Sequence, residues 1–295
     1  MDIIYQGKKP RLDLPYFGKQ ARFFEFFKHC ITPYLPVDGI YAETNSGSVN
    51  NAFEFARMGY RVIVNDIGEY SNAIANAIFV NPSPIDAGCK CKYDWLEAYK
   101  TSYIDRASIF AGNMAVNGYN APMPECPDRR VKVKALEYKR ELQTVRNQGV
   151  FAYRIYNEDL YKYLAELEAS KIMVDVMFMD FAWPWRNGDE TEEYLTAASS
   201  LSGIFNGRAV KVEMWNKDNV IDKVLLALKM AGRVSKYVFL STQSSNFPSP
   251  ELLEVALLEN GFGYEQRHTM LTKATEEDNL LKEGFFREYL YVIKS

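Results

Sequence analysis

The succession strand, small-residue loop, helix, strand, acid between residues 39 and 66 constrains the fold more than any other feature of this chain. Gly39-Ile40-Tyr41-Ala42 reads as a short strand, and Thr44-Asn45-Ser46-Gly47-Ser48 as a tight polar loop. Residues 49–58 carry helical spacing and stop at Gly59, a residue suited to a helix C-terminus. Arg61-Val62-Ile63-Val64-Asn65-Asp66 is β-branched and ends on an acid. Connections this short join parallel strands by a right-handed crossover, and parallel sheets need helices on both faces. Ligands of such sheets bind beyond the carboxyl ends of the strands, so the loop and Asp66 are expected to meet at one edge.

The same rhythm recurs along the chain. Residues 16–34 hold Phe23, Phe24, Phe26, Phe27, Ile31 and Tyr34 at helical spacing, and a further helix is expected over 70–79. Later come a helix over 157–170 and a strand over 174–180, a helix over 190–204 and a strand over 209–214, and a helix over 219–231 and a strand over 236–242. Pro250 opens one more helix, closed by Asn260-Gly261. Two strand-like tail segments, 263–270 and 285–293, are expected to pair antiparallel at the sheet edge. Between 89 and 154 the periodicity weakens, glycine and proline recur, and loops are expected to dominate. A basic run occurs there: Arg129, Arg130, Lys132, Lys134, Lys139, Arg140, Arg146 and Arg154. The shift predicts a basic insertion over 89–154 within a core formed by 1–88 and 155–295.

With 295 residues and a formal net charge of -3, the chain is not basic throughout, although a local basic surface can still contact phosphates. No apolar run approaches the roughly 20 residues that cross a bilayer, and the first residues lack the features of a secretion signal. A cytoplasmic location and no membrane partner are the expectations. Cys89 and Cys91 are separated by one residue, where structural zinc sites want two to four, and His29 and His268 are remote in sequence; no metal site is expected.

Two places carry chemistry. The loop at Ser46 and Gly47 permits close backbone approach to a ligand, with Glu43 and Asp66 as acids at neighbouring strand ends; Asp66 has the position from which acids bind ribose hydroxyls. The loop lacks a full dinucleotide fingerprint and a phosphate-binding lysine, leaving a nucleoside-type site or a purely structural turn. At Asp180-Phe181-Ala182-Trp183-Pro184-Trp185 a hydrophobic strand ends in an acid beside two indoles. That is either a stacking platform for a planar base or a capping acid with two core tryptophans.

The linear order of these pieces resembles the alpha group of DNA adenine-N6 methyltransferases, within the class I S-adenosylmethionine-dependent methyltransferases. Tyr16-Phe17-Gly18-Lys19 resembles the family's amino-terminal cofactor element, Ser46-Gly47-Ser48-Val49 its glycine loop, and residues 58–67 its acidic strand. Tyr156-Asn157-Glu158-Asp159-Leu160 resembles its third element, Asp180-Phe181-Ala182-Trp183 stands where the family carries Asp-Pro-Pro-Tyr, and Arg287-Glu288-Tyr289-Leu290 resembles its last strand. The resemblance implies a Rossmann-like, mostly parallel sheet with an antiparallel carboxyl-terminal edge and an inserted target-recognition subdomain. It implies S-adenosyl-L-methionine as cofactor, contacted by Tyr16, Lys19, Glu43, Ser46, Gly47, Asp66 and Asp159. It further implies that adenine flipped from double-stranded DNA is held by Asp180 and the carbonyl of Phe181 and stacked on Trp183. Arg129, Arg130, Lys132, Lys134, Lys139 and Arg140 would contact DNA, and a partner methyltransferase or restriction subunit is a further expectation. Two departures stand out: Asn45 replaces the loop's first glycine, and both prolines of the Asp-Pro-Pro-Tyr motif are absent. The alternative is an inactive subunit of the same fold that binds DNA or an active partner.

Overall fold

The computed structural model describes residues 3–4, 14–15, 23–85, 88, 90–119, 121–184, 202–205, 215–273 and 285–294. Its centre is formed by β2 (Ile40–Glu43), β3 (Arg61–Asn65), β5 (Val174–Asp180) and β6 (Ser235–Gln243), parallel to one another and almost wholly buried over β2 and β5. Such strands are near-continuous apolar runs because both faces are covered. Alternation decides which layer each side chain joins. Tyr41, Val62, Val64, Val176, Phe178 and Phe239 face one core, and Ala42, Ile63, Met177, Met179, Val238 and Leu240 the other.

With β1 (Ile3–Ile4), β4 (Arg154–Tyr156), β7 (Tyr264–Lys273) and β8 (Phe285–Lys294), the sheet runs β1-β7-β8-β6-β5-β2-β3-β4. Among the described strands, β8 alone is antiparallel to both its neighbours, lying between β6 and β7. The expected antiparallel tail pair therefore forms, with β8 inside the sheet. Sequential strands lie on either side of β2: β3 and β4 to one side, β5 and β6 to the other. This is the strand order of a class I methyltransferase-like fold, and its direction reverses between β2 and β5. The crevice at the carboxyl ends of those two strands is where such a sheet takes a ligand.

Helices α1 (Phe24–Ile31), α2 (Asn50–Arg57) and α3 (Glu69–Ile78) cover one face. Helices α6 (Leu160–Ala169), α7 (Val220–Ala231) and α8 (Pro250–Glu259) cover the other. Pro250 stands in the first turn of α8 and the Ser249 hydroxyl caps it, as the sequence suggests.

Residues 89–154 depart from expectation. Instead of loops, they build α4 (Tyr103–Asn117) and α5 (Arg129–Arg146), which pack closely together and on α3. Ile109, Phe110, Val131, Ala135 and Leu142 belong to the same core as the sheet, so the segment is an elaboration of one layer. The helices meet at Gly112, where a methyl group would lie 2.7 Å from the Val131 carbonyl oxygen and 2.8 Å from the Ala135 amide nitrogen. Arg146 donates to the carbonyls of Asn76, Ala77 and Phe79 and closes the C-terminus of α3. Tyr16, Lys19, Cys89, Trp185, the strand expected over 209–214 and all but the last three residues of the helix expected over 190–204 lie outside the described residues.

Candidate active site

At the crevice, β2 ends in Glu43 and β5 in Asp180. The loop from Thr44 to Val49 is folded by its own bonds. The amide and hydroxyl of Ser46 both donate to the Asn65 carbonyl at 2.9 Å, and the Gly47 amide donates to Asp66 Oδ2 at 2.9 Å. Gly47 has φ 50°, and Val49 holds φ 64°, a left-handed conformation that a β-branched residue rarely adopts. Asn65, 1% exposed, joins three strand ends: its Nδ2 donates to the Thr44 and Glu158 carbonyls, and its Oδ1 accepts from the Glu158 amide. Asn157 adds a bond to the Asp66 carbonyl at 2.7 Å.

The acids differ in their surroundings. Glu43 is buried and accepts from the Tyr41 hydroxyl at 2.8 Å. Burial pushes its carboxyl up to about 8; the Tyr41 bond and the Ala52 amide oppose this, and the charges of Asp180 and Asp66 reinforce it. Asp66 is also raised by burial, offset by the Gly68 and Gly47 amides and the Ser71 hydroxyl. Asp66 thus serves the loop directly, with Gly68 N–H on Oδ1 at 2.7 Å, and a carboxylate retains lone pairs for further donors. In the same loop and the start of α2, Thr44 Oγ1, Asn45 Oδ1 and Asn51 Oδ1 are buried without hydrogen-bond partners among the described residues. Buried acceptors are ordinarily paired, so this edge is shaped for a ligand that brings donors.

The Asp180 turn is fixed without the missing prolines. The Trp183 amide donates to the Phe181 carbonyl at 2.9 Å, the Phe247 amide to the Pro184 carbonyl at 2.7 Å, and the Trp183 indole N–H to the Ser241 carbonyl at 2.8 Å. The Ser241 hydroxyl in turn donates to Glu288 at 2.6 Å. Trp183 is 6% exposed and its ring packs edge-on against Phe181, which lies 4.6 Å from Trp215 between centroids. The open stacking surface expected of Trp183 is replaced by a core tryptophan, because its N–H finds its partner inside the sheet.

The remaining candidates sit elsewhere. Asp159, at the same sheet edge, caps α6 by accepting from the Tyr161 and Lys162 amides. The basic residues line the outer side of α5: Arg130, Lys134 and Lys139 pair with Asp128, Glu137 and Asp105 at 2.6–2.7 Å. Arg129, Lys132 and Arg140 are exposed and in no ion pair among the described residues. Sequence reasoning missed Tyr41, Thr44, Asn51, Asn65 and Ser241. The Tyr41-x-Glu43 spacing, which puts both residues on one face of a strand, was the one local signal.

No protein-family model matches the chain, and no curated protein is similar to it in sequence. Solved structures share its outline. A S-adenosylmethionine-dependent methyltransferase from Agrobacterium tumefaciens aligns with 94% of this chain at 11% identity and TM-score 0.46, and the chain spans 61% of that protein's length. The magnesium protoporphyrin IX methyltransferase of Synechocystis, with bound SAM, aligns with 92% of this chain and 79% of its own at 8% identity and TM-score 0.39. The human methyltransferase 10 domain containing protein aligns with 95% of this chain and 87% of its own at 7% identity and TM-score 0.41. The fold assignment rests on the strand order and crossovers described above.

Proposed function

We propose that this chain binds S-adenosyl-L-methionine at the β2–β5 crevice and transfers its methyl group to the N6 amino group of adenine in DNA. The observation that carries the reading is an acidic crevice with unfilled acceptors: buried Glu43, followed by Thr44, Asn45 and Asn51 oxygens that lack donors among the described residues. The cofactor's sulfonium, ammonium, ribose hydroxyls and adenine amino group are cations or donors and match this set, whereas its carboxylate needs a donor elsewhere. Glu43 and Asp66 would hold its cationic and hydroxyl groups. When bound, it supplies an electrophilic methyl group.

The chain's own part is orientation. Asp180 and the Phe181 carbonyl would accept the two amino hydrogens of the target base, turning the nitrogen lone pair outward; such positioning accounts for much of the rate in group transfer. The Phe181 carbonyl accepts from the Trp183 amide, and a carbonyl oxygen has a second lone pair. The proton lost from nitrogen passes to Asp180 or to water. Arg129, Lys132 and Arg140 would meet backbone phosphates, with Arg130, Lys134 and Lys139 joining once their ion pairs open.

A second reading, a methyltransferase-fold subunit that binds DNA or an active partner without transfer, is favoured by the burial of Trp183. The test is calorimetry with S-adenosylmethionine together with transfer of labelled methyl to unmodified duplex DNA. Binding and transfer, with transfer abolished by Asp180→Ala, support the enzyme. Cofactor or DNA binding without transfer selects the subunit. No binding at millimolar cofactor overturns the crevice assignment.

A further inference from the structure

A second surface lies at the opposite end of β3 and β4, at their amino-terminal edge. A groove of about 600 Å³ is lined there by Arg57, Tyr60, Arg61, Phe151 and Tyr153, among others. Its wall is held rigidly: Asn81 bonds both the amide and the carbonyl of Ala152, the Val80 amide donates to the Val150 carbonyl, and the Tyr153 amide donates to the Val62 carbonyl. Yet the side chains on that wall face solvent, with Phe151 65% and Tyr153 43% exposed. A rigid backbone that displays aromatic rings outward is unusual for a surface whose only task is to be solvated.

The cations around these rings are equally distinctive. The Arg61 and Arg154 guanidinium carbons lie 5.4 and 5.8 Å from the centre of the Tyr153 ring. Their hydrogen bonds go to neutral oxygens, the Asp38 carbonyl at 3.0 Å and the Tyr156 hydroxyl at 3.1 Å. Among the described residues neither arginine is in an ion pair with a carboxylate, whereas Arg57 is tied to Glu54 at 2.9 Å. An exposed ring near guanidinium groups that lack counter-anions matches a polymer of flat bases and phosphates: Phe151 offers a stacking face, and the two guanidinium groups held over Tyr153 offer phosphate partners. A paired duplex keeps its base faces stacked inside and presents none to Phe151.

We propose that this groove binds single-stranded nucleic acid, with a base stacked on Phe151 and phosphates on Arg61 in the groove and on Arg154 beside it. Among the described strands β4 is the outermost on this side, so a bound strand can follow Arg154 along that edge towards Asp159 and the crevice. The site does not depend on methyl transfer, and its test leaves the crevice out.

The experiment is fluorescence anisotropy of the full chain with a labelled oligothymidine, which carries no adenine, and with a duplex of the same length. The single strand should bind more tightly. Phe151→Ala should weaken binding about tenfold, as loss of one stacking contact does. Arg61→Ala with Arg154→Ala should lower the slope of log affinity against log salt by about 1.4, the value for two single-strand phosphate contacts. Circular dichroism melts check that each variant is folded. Equal or tighter binding of the duplex, no binding of oligothymidine at low salt, or unaltered affinity in both groove variants overturns the proposal.

Discussion

Glu43→Gln tests whether the crevice holds a proton in place of a cation. In the folded chain Glu43 keeps its proton up to about pH 8, whereas an ordinary glutamate in the unfolded chain releases it near 4.5. Between those values the folded state binds one proton more than the unfolded state, so stability falls as pH rises. The contribution is fully present below 4.5 and is lost through pH 8. Each pH unit in the interval is worth about 1.4 kcal/mol, giving on the order of 5 kcal/mol across it, a large share of a typical domain's stability. Glutamine has the same shape, can still accept from Tyr41 and does not titrate. Asp66, raised in the same direction, keeps its own contribution in both proteins, so the difference between them isolates Glu43. Urea titrations followed by tryptophan fluorescence between about pH 5 and about pH 8 should show the wild type losing stability relative to the variant. Parallel curves for the two proteins would refute the reasoning. They would mean that water or a nearby cation already satisfies the ionised carboxylate.

Other consequences are separate. If S-adenosylmethionine brings its positive charge to Glu43, its affinity should rise as pH is raised towards 8, by up to about tenfold per unit, with proton release read by calorimetry in buffers of different ionisation enthalpy. Trp183→Phe removes the indole bond to Ser241 and leaves a buried carbonyl short of a donor. It should lower stability by about 1–3 kcal/mol in urea titration, and the loosened turn should reduce methyl transfer more than cofactor binding. Gly112→Ala places a methyl group against the α5 backbone and should lower stability by about 1–3 kcal/mol, seen as a reduced melting temperature.

The unexpected helices show where pattern reading lost the signal. Helix α5 buries Val131, Ala135, Leu142 and Val145, a helical spacing, but eight Lys, Arg and Glu residues between 129 and 141 and the outward Val133 and Leu136 dilute it. Helix α4 is buried over most of its circumference, from Arg106 through Met114, so it has no polar stripe to mark its period. The three-residue β4 is too short to alternate visibly.

What the sequence by itself determined is local. β-branched runs specify the parallel strands, Pro250 and Gly261 bracket α8, and the short β2–α2–β3 connection forces the loop and Asp66 to one edge. Each of these depends on residues near one another in sequence, the loop and Asp66 lying 19 positions apart. Only the tertiary structure decided the rest. Asn65 bridges strand ends 93 residues apart, Trp183 is drawn inward by a carbonyl 58 residues away, and Glu43 meets the field of Asp180 across the reversal point of the sheet. A carboxyl's proton and an indole's orientation depend on dielectric surroundings and on partners fixed by the strand order, and that order is set by packing over the whole chain.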